Sequence, residues 1–185
     1  QEKLAADTED PSQMSHPFDS SRDGSVVGEG AAAFVCESLQ HATHRGANIL
    51  GEVVGYSSSA VGPAAGDDFL KKAVINVLKG ALGTADPKSI GHIHAHGLGT
   101  VESDRFEALG IAEVFGSPTD QPPVTTAKGH FGNLGAGGGM VEVIASLDAL
   151  GGELFPILNC NHLDPDCPIN ACTKAGTPAG DEFIS

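Results

Sequence analysis

The sequence predicts an α/β fold, a sheet with helices packed on its faces. Short apolar runs that read as strands alternate with helix-period segments in the order β-α-β-α-β-α-β-α, the pattern that layers helices onto a sheet. One segment, residues 67–82, carries an unbroken helical stripe of apolar side chains. Hydrophobic residues make up 40% of the 185, enough for one packed domain or for one half of a larger two-part fold. Trp is absent, Tyr56 is the single Tyr and Gly numbers 25. Such an interior has to be built from aliphatic side chains and close backbone contacts rather than from rings.

Residues 1–16 are polar and are expected to be loose, with a single domain running from 17 to 185. From Pro17 to Gly30 the chain is rich in turn formers. Ala31 to Glu37 is small and apolar, which suits a buried strand. Gln40 to Arg45 reads as a short helix ended by Gly46. Ile49 to Ser57 reads as a second strand. In Asp67 to Leu82, the residues Leu70, Ala73, Val74, Val77, Leu78, Ala81 and Leu82 share one face, with Asp67 as cap and Gly83 as stop. Ile90 to Ala95 is strand-like, and Ser103 to Phe115 is a helix capped by Ser103 and stopped by Gly116. Val124 to Ala127 is a short strand. Gly135 to Leu150 is a helix whose first turn is almost all Gly and Ala. The tail from Pro156 to Ser185 reads as loop, and Glu182 to Ser185 opens a strand that the chain does not complete.

Composition removes several function classes. The net charge of −14 argues against nucleic acid, whose binding is driven by Lys and Arg on phosphates. It argues equally against an anionic membrane surface. No apolar run approaches the ~20 residues of a membrane span, and the first residues are too polar for a secretory signal. The four cysteines, Cys36, Cys160, Cys167 and Cys172, are too sparse for a disulfide scaffold, so a reducing cytoplasm is expected.

Three clusters have chemistry-bearing residues. His92, His94 and His96 form an H-x-H-x-H run, which on a strand puts all three side chains on one face. That geometry suits a shared zinc, and equally suits polar packing near a strand end. Cys160, His162, Cys167 and Cys172 form a second metal-like group, with spacings that match no common zinc knuckle. The third is Lys128 to Glu142, a Gly-rich run without the Gly-Lys-Ser/Thr ending of a phosphate loop. Gly137, Gly138 and Gly139 inside a helix cost roughly 1 kcal/mol each relative to Ala, tolerable where another backbone must come close. The start of that helix offers N–H groups and partial positive charge to a developing anion. Together these features point to a polar site at the ends of two strands, near His96 and Asn133, and name no reaction.

Four segments, in order, resemble a β-ketoacyl synthase of the thiolase-like superfamily. Pro17-Phe18-Asp19, Arg22-Asp23-Gly24 and Gly28-Glu29-Gly30 resemble the family's PFD..RDG...GEG stretch. Ala95-His96-Gly97-Leu98-Gly99-Thr100 with Asp104 and Glu107 resembles AHGT.T....D..E. Thr126-Ala127-Lys128 through Gly132-Asn133-Leu134 to Glu142 is similar to the K...GH segment and its small-residue helix. Leu163-Asp164-Pro165-Asp166-Cys167 is similar to the NPDPEC turn. The resemblance runs from Pro17 to about Asn170.

What the resemblance implies is the second half of a thiolase-like αβαβα layered fold, with its last strand and the Gly-rich loop after it missing. The nucleophilic cysteine belongs to the first half, so this chain alone is expected not to turn over. In the family an acyl group is held as a thioester on that cysteine, and a malonyl thioester on acyl carrier protein loses CO2 to give an enolate that attacks it. Two residues of the second half stabilise the enolate oxygen. His96 matches the first. Asn133 stands where the second His usually is, and an amide donates a hydrogen bond but does not take and return a proton. Lys128 and Glu142 match a supporting ion pair, and Thr100, Asp104 and Glu107 match positions that brace the His96 loop. Asp104 and Glu107 also suit the start of a helix on dipole grounds alone. His130 stands close enough in sequence to reach the pocket and stand in for the missing His.

The implied function is a 3-oxoacyl-acyl-carrier-protein synthase of fatty-acid or polyketide synthesis, with no cofactor and no metal. Expected partners are acyl carrier protein thioesters and, for the whole protein, a homodimer or heterodimer. Acyl carrier protein is acidic, so docking onto a protein of this charge requires a local basic patch or one in the missing half. The alternatives are a non-catalytic subunit like a chain-length factor, which Asn133 favours, and a metal-binding α/β domain.

Overall fold

The computed structural model describes residues 3–7, 9–66 and 68–185. Five α-helices and three strands follow one another: α1 (Leu39–His44), α2 (Phe69–Leu82), β1 (His92–His94), α3 (Val101–Phe115), β2 (Val124–Thr125), α4 (Lys128–Phe131), α5 (Gly138–Ala149) and β3 (Phe183–Ile184). The strands form a parallel sheet in the order β2-β1-β3. β1 places Ile93 beside Val124 and beside Ile184. The chain around Ala171 continues the sheet past β2, with Val124 N–H bonded to Asn170 O at 2.8 Å and Cys172 N–H to Val124 O at 2.8 Å.

Period-two alternation along β1 assigns the layers. Ile93 points into the main core with Leu78 of α2 and with Ala108, Ile111 and Phe115 of α3. His92 and His94 point the other way, to Ser146 of α5. One helical layer is therefore α2 and α3, and the other is α5. Gly110 lets α2 and α3 approach, since a Cβ there would lie 2.6 Å from Val74 Cγ1. Phe18, wholly buried, and Ile157, Cys160, Cys167 and Ile169 from the tail close the core.

Most expected elements are present within a residue or two. Gly83 (φ +56°) and Gly116 (φ +90°) end α2 and α3. Asp67, expected to cap α2, lies outside the described residues. The helix α3 starts at Val101, so Thr100 rather than Ser103 holds the cap position. The Gly-rich helix starts as a 3-10 turn, Gly135–Gly137, before α5. Of the segment expected to be loose, Lys3 to Ala5 runs alongside Ser25, with Ala5 N–H bonded to Ser25 O at 2.9 Å.

Two expected strands are absent. Ala31 to Glu37 and Ile49 to Ser57 join no ladder, and they are largely exposed rather than buried. Val35 is 86% exposed and Val54 84%. Their β-branched composition favours extension, but a strand also needs a neighbour's N–H and C=O groups, and no described segment supplies them.

Candidate functional site

The site forms where β1 ends. His96 follows the strand and is exposed. Gly97 (φ +53°) turns the chain sharply, and a Cβ there would lie 2.7 Å from the Thr126 side chain. Two carboxylates from α3 hold the turn. Glu107 Oε1 accepts from His96 N–H at 2.6 Å and Oε2 from Gly97 N–H at 2.9 Å. Asp104 Oδ1 accepts from Gly99 N–H at 3.0 Å. The acids are thus turned onto the loop's amides. Burial pushes the Asp104 carboxyl up to about 6, against the lowering effect of Phe18 N–H, which donates to it at 2.9 Å. Burial pushes Glu107 up as well, with the Gly97 and His96 amides opposing it.

From the other side, β2 leads into α4. Thr126 Oγ1 donates to His96 O at 3.1 Å. Lys128, at the first position of α4, is 2% exposed and forms an ion pair with Glu142 of α5. The same ammonium lies 3.1 Å from His96 Nδ1. An ammonium has only protons to offer, so Nδ1 accepts and the imidazole proton sits on Nε2.

Asn133 sits past the Gly132 turn (φ +78°) that ends α4. Its backbone is clamped on both sides. Asn133 N–H donates to Val26 O at 2.7 Å, and Gly28 N–H donates to Asn133 O at 2.9 Å. Gly28 and Gly132 permit this approach, because a Cβ on Gly28 would fall 1.9 Å from Phe131 O. The Gly28-Glu29-Gly30 segment therefore fixes the Asn133 loop. Asn133 Oδ1 accepts from Gly135 N–H at 3.1 Å.

Arg22 joins the remaining segments and was read from sequence only as a letter of a motif. Its side chain is 1% exposed, donates to Asp164 at 2.6 Å and to Asp19 O at 2.8 Å, and stands 3.6 Å from Asp104. It also donates to Thr100 O at 3.3 Å and Val101 O at 3.0 Å, where α3 begins. Thr100 thus contributes its carbonyl to the bracing. The only signal of this role in the sequence is that Arg22, Asp19 and Asp164 all fall within the family-like segments.

The metal readings meet a different geometry. His92 Nδ1 lies 2.7 Å from Ala179 O and its Nε2 3.0 Å from Ser146 Oγ, while His94 Nδ1 lies 2.8 Å from the same hydroxyl. His92 and His94 share a face and meet at Ser146, whereas His96 lies past the end of β1 with its ring against Lys128. Cys160 and Cys167 belong to the main core and Cys172 to a small cluster with Ala149, Leu154 and Ala179. Among the described residues no three His, Cys, Asp or Glu side chains are grouped as a metal requires. His130 is exposed, with Nε2 3.0 Å from Pro156 O. A mostly apolar cavity of about 660 Å³ lies beside the site, with His96, Glu107 and Glu142 at its polar end.

Comparison with known proteins identifies the family. The family profile "Beta-ketoacyl synthase, C-terminal domain" matches residues 50–161. The chain is 31% identical over 90% of its length to a 3-oxoacyl-[acyl-carrier-protein] synthase 2 from Synechocystis, of which it covers 41%. The chain belongs to the β-ketoacyl synthase family. Solved ketosynthases share its fold. The ishigamide ketosynthase/chain length factor aligns at 32% identity and a TM-score of 0.78, over 92% of this chain and 41% of that one. A type II polyketide ketosynthase solved with its acyl-carrier protein aligns at 27% and 0.77, over 94% and 44%. The ketosynthase chain spans about two fifths of the length of the curated relatives it matches. No helix among the described residues is long and apolar enough to cross a membrane.

Proposed function

We propose that this chain is the donor-bearing half of a decarboxylating 3-oxoacyl-acyl-carrier-protein synthase of fatty-acid or polyketide synthesis. The observation that carries it is the Lys128 ammonium on His96 Nδ1. That contact keeps the ring proton on Nε2, as a donor to a thioester oxygen requires.

The chemistry follows. A malonyl thioester binds with its carbonyl oxygen facing His96 Nε2–H and the Asn133 amide. The bond from C2 to the carboxylate breaks, CO2 departs, and its electron pair becomes the C1–C2 double bond of an enolate. Negative charge grows on the thioester oxygen, where preorganised donors lower the barrier. C2 then attacks the acyl thioester, a carbon–carbon bond forms, and the cysteine thiolate of the other half leaves. Glu107, Asp104, Thr100 and Arg22 hold the His96 loop still, and Lys128 with Glu142 holds its ring. No proton need be returned at Asn133, so its amide suffices for the enolate.

Two of this chain's buried cysteines are unsuited to carry the acyl group. Burial pushes the Cys160 thiol up to about 11 and Cys167 up to about 12, which keeps both protonated at neutral pH. The acyl-carrying cysteine is assigned to the other half of the protein, so the isolated chain is expected not to condense. Acyl carrier protein is the carrier of the donor, a reading supported by the related ketosynthase solved in complex with its acyl-carrier protein, and the whole protein works as a homodimer or heterodimer in the cytoplasm.

The full-length protein, given an acyl thioester and malonyl-acyl carrier protein, is expected to yield a 3-oxoacyl product. Asn133→Ala should slow it about 10- to 1,000-fold, while Asn133→His retains activity. A paired full-length protein that keeps making product after His96→Ala in this subunit would contradict this reading. It would favour the chain-length-factor role, which Asn133 in place of His also suits.

A further inference from the structure

His92 and His94 of β1 face α5, and the spacings of strand and helix match. Two residues along a strand advance about 6.6 Å, and four residues along a helix advance about 6 Å. His96 reaches Glu142 through Lys128, and His94, two residues back, reaches Ser146, four residues on. Ser146 is wholly buried and its hydroxyl lies within hydrogen-bond distance of two imidazoles at once, His92 Nε2 at 3.0 Å and His94 Nδ1 at 2.8 Å. His92 is itself anchored to Ala179 O. Burial and the nearby Lys128 charge hold the His94 ring neutral, with its pKa lowered to about 3. A neutral ring can share a hydroxyl as donor or acceptor, whereas a protonated one cannot accept.

We propose that Ser146 is a positioning residue: by bonding His92 and His94 together it sets the height of α5 along β1, and so keeps Glu142 where it holds Lys128 on His96 Nδ1. This rests on His96 being the donor proposed above. A helix free to slide by a fraction of its rise would carry Glu142 with it. Lys128 would then leave Nδ1, and the His96 ring would be open to the other tautomer and to protonation. Lys128 from α4 lies against that ring with Glu142 of α5 behind it, Glu107 of α3 holds the His96 backbone N–H, and His94 of β1 feels the same Lys128 charge.

The test uses the full-length protein and two independent readouts. The first is 15N histidine NMR of the His96 ring, assigned by its loss in His96→Ala. The second is the pH profile of CO2 release from malonyl-acyl carrier protein. Ser146→Ala, and Ser146→Cys if the alanine variant does not fold, should convert the His96 signal from the Nε2–H tautomer to a mixture. Both should lower kcat about 10- to 100-fold with KM unchanged, and move the acid limb to higher pH. Ser146→Thr should restore the tautomer. An unchanged His96 signal and pH profile in a folded Ser146→Cys protein would overturn the proposal. A changed tautomer in a protein whose wild type releases no CO2 would uphold the positioning role and overturn the donor reading instead.

Discussion

Lys128 serves two partners at once, and that makes its replacement informative. It is buried against Glu142 and touches His96. Lys128→Met leaves a buried carboxylate uncompensated, which should cost about 3–5 kcal/mol of stability. Adding Glu142→Leu removes that stranded charge, so the double variant should recover most of the unfolding midpoint in urea while CO2 release stays low. Recovery of both together would show that Lys128 acts only on stability. Two buried groups also make stability depend on pH with opposite signs. The His94 pKa is lowered from 6.5 to about 3 by burial, Lys128 and His92, so its contribution is present above pH 6.5 and is lost as pH falls toward 3. Asp104 is raised from 3.8 to about 6, so the cost of its charge is full above pH 6 and is relieved as pH falls toward 3.8. Between pH 6 and 5 the two oppose. Unfolding free energies from urea titrations between pH 7.5 and 5 should differ in pH slope between His94→Asn and wild type by up to about 1.4 kcal/mol per pH unit, with the variant gaining stability between pH 6 and 5, where Asp104 acts unopposed. At this scale His96, Lys128 and Glu142 were legible because motif letters carried them. Ser146 was not, since a lone Ser in a helix has no signature until the strand facing it is known.

The helix α5 is joined to its surroundings at both ends by features that sequence showed unequally. Three consecutive glycines suggested close backbone approach, and the structure separates them. A Cβ on Gly137 would lie 2.4 Å from Gly30 O, whereas one on Gly139 would meet nothing within 4 Å. Gly137→Ala should therefore destabilise by about 1–3 kcal/mol, and Gly139→Ala should be neutral or stabilise by up to about 1 kcal/mol. Thermal unfolding of the two variants compares them directly. The helix stripe at residues 67–82 was legible because its period is local, and α2 follows it. The strands expected at 31–37 and 49–57 were misread for the same reason in reverse. Apolar, β-branched residues report a preference for extension, and pairing depends on a neighbour that periodicity does not contain. Val53, Val54 and Tyr56 are exposed in consequence.

Across the molecule, Arg22 ties together segments far apart in the chain: the turn at Asp19, the start of α3 and the Asp164 turn. Arg22→Lys keeps the charge but loses the planar fork, and should cost about 2–4 kcal/mol with the buried acceptors left short of donors. The α/β class followed from alternation alone, and the family from four motifs in order. The matched relatives are more than twice as long. Under the proposed function, the −14 charge requires an acidic carrier protein to dock on a local basic patch or on the other half of the protein. The donor role of His96 is the centre of this account, and one measurement tests it most directly. Full-length protein and its His96→Ala variant are compared in the two half-reactions, acyl transfer onto the protein and CO2 release from malonyl-acyl carrier protein. The account predicts that acyl transfer survives while CO2 release falls about 100- to 1,000-fold. CO2 release at the wild-type rate in His96→Ala would contradict it.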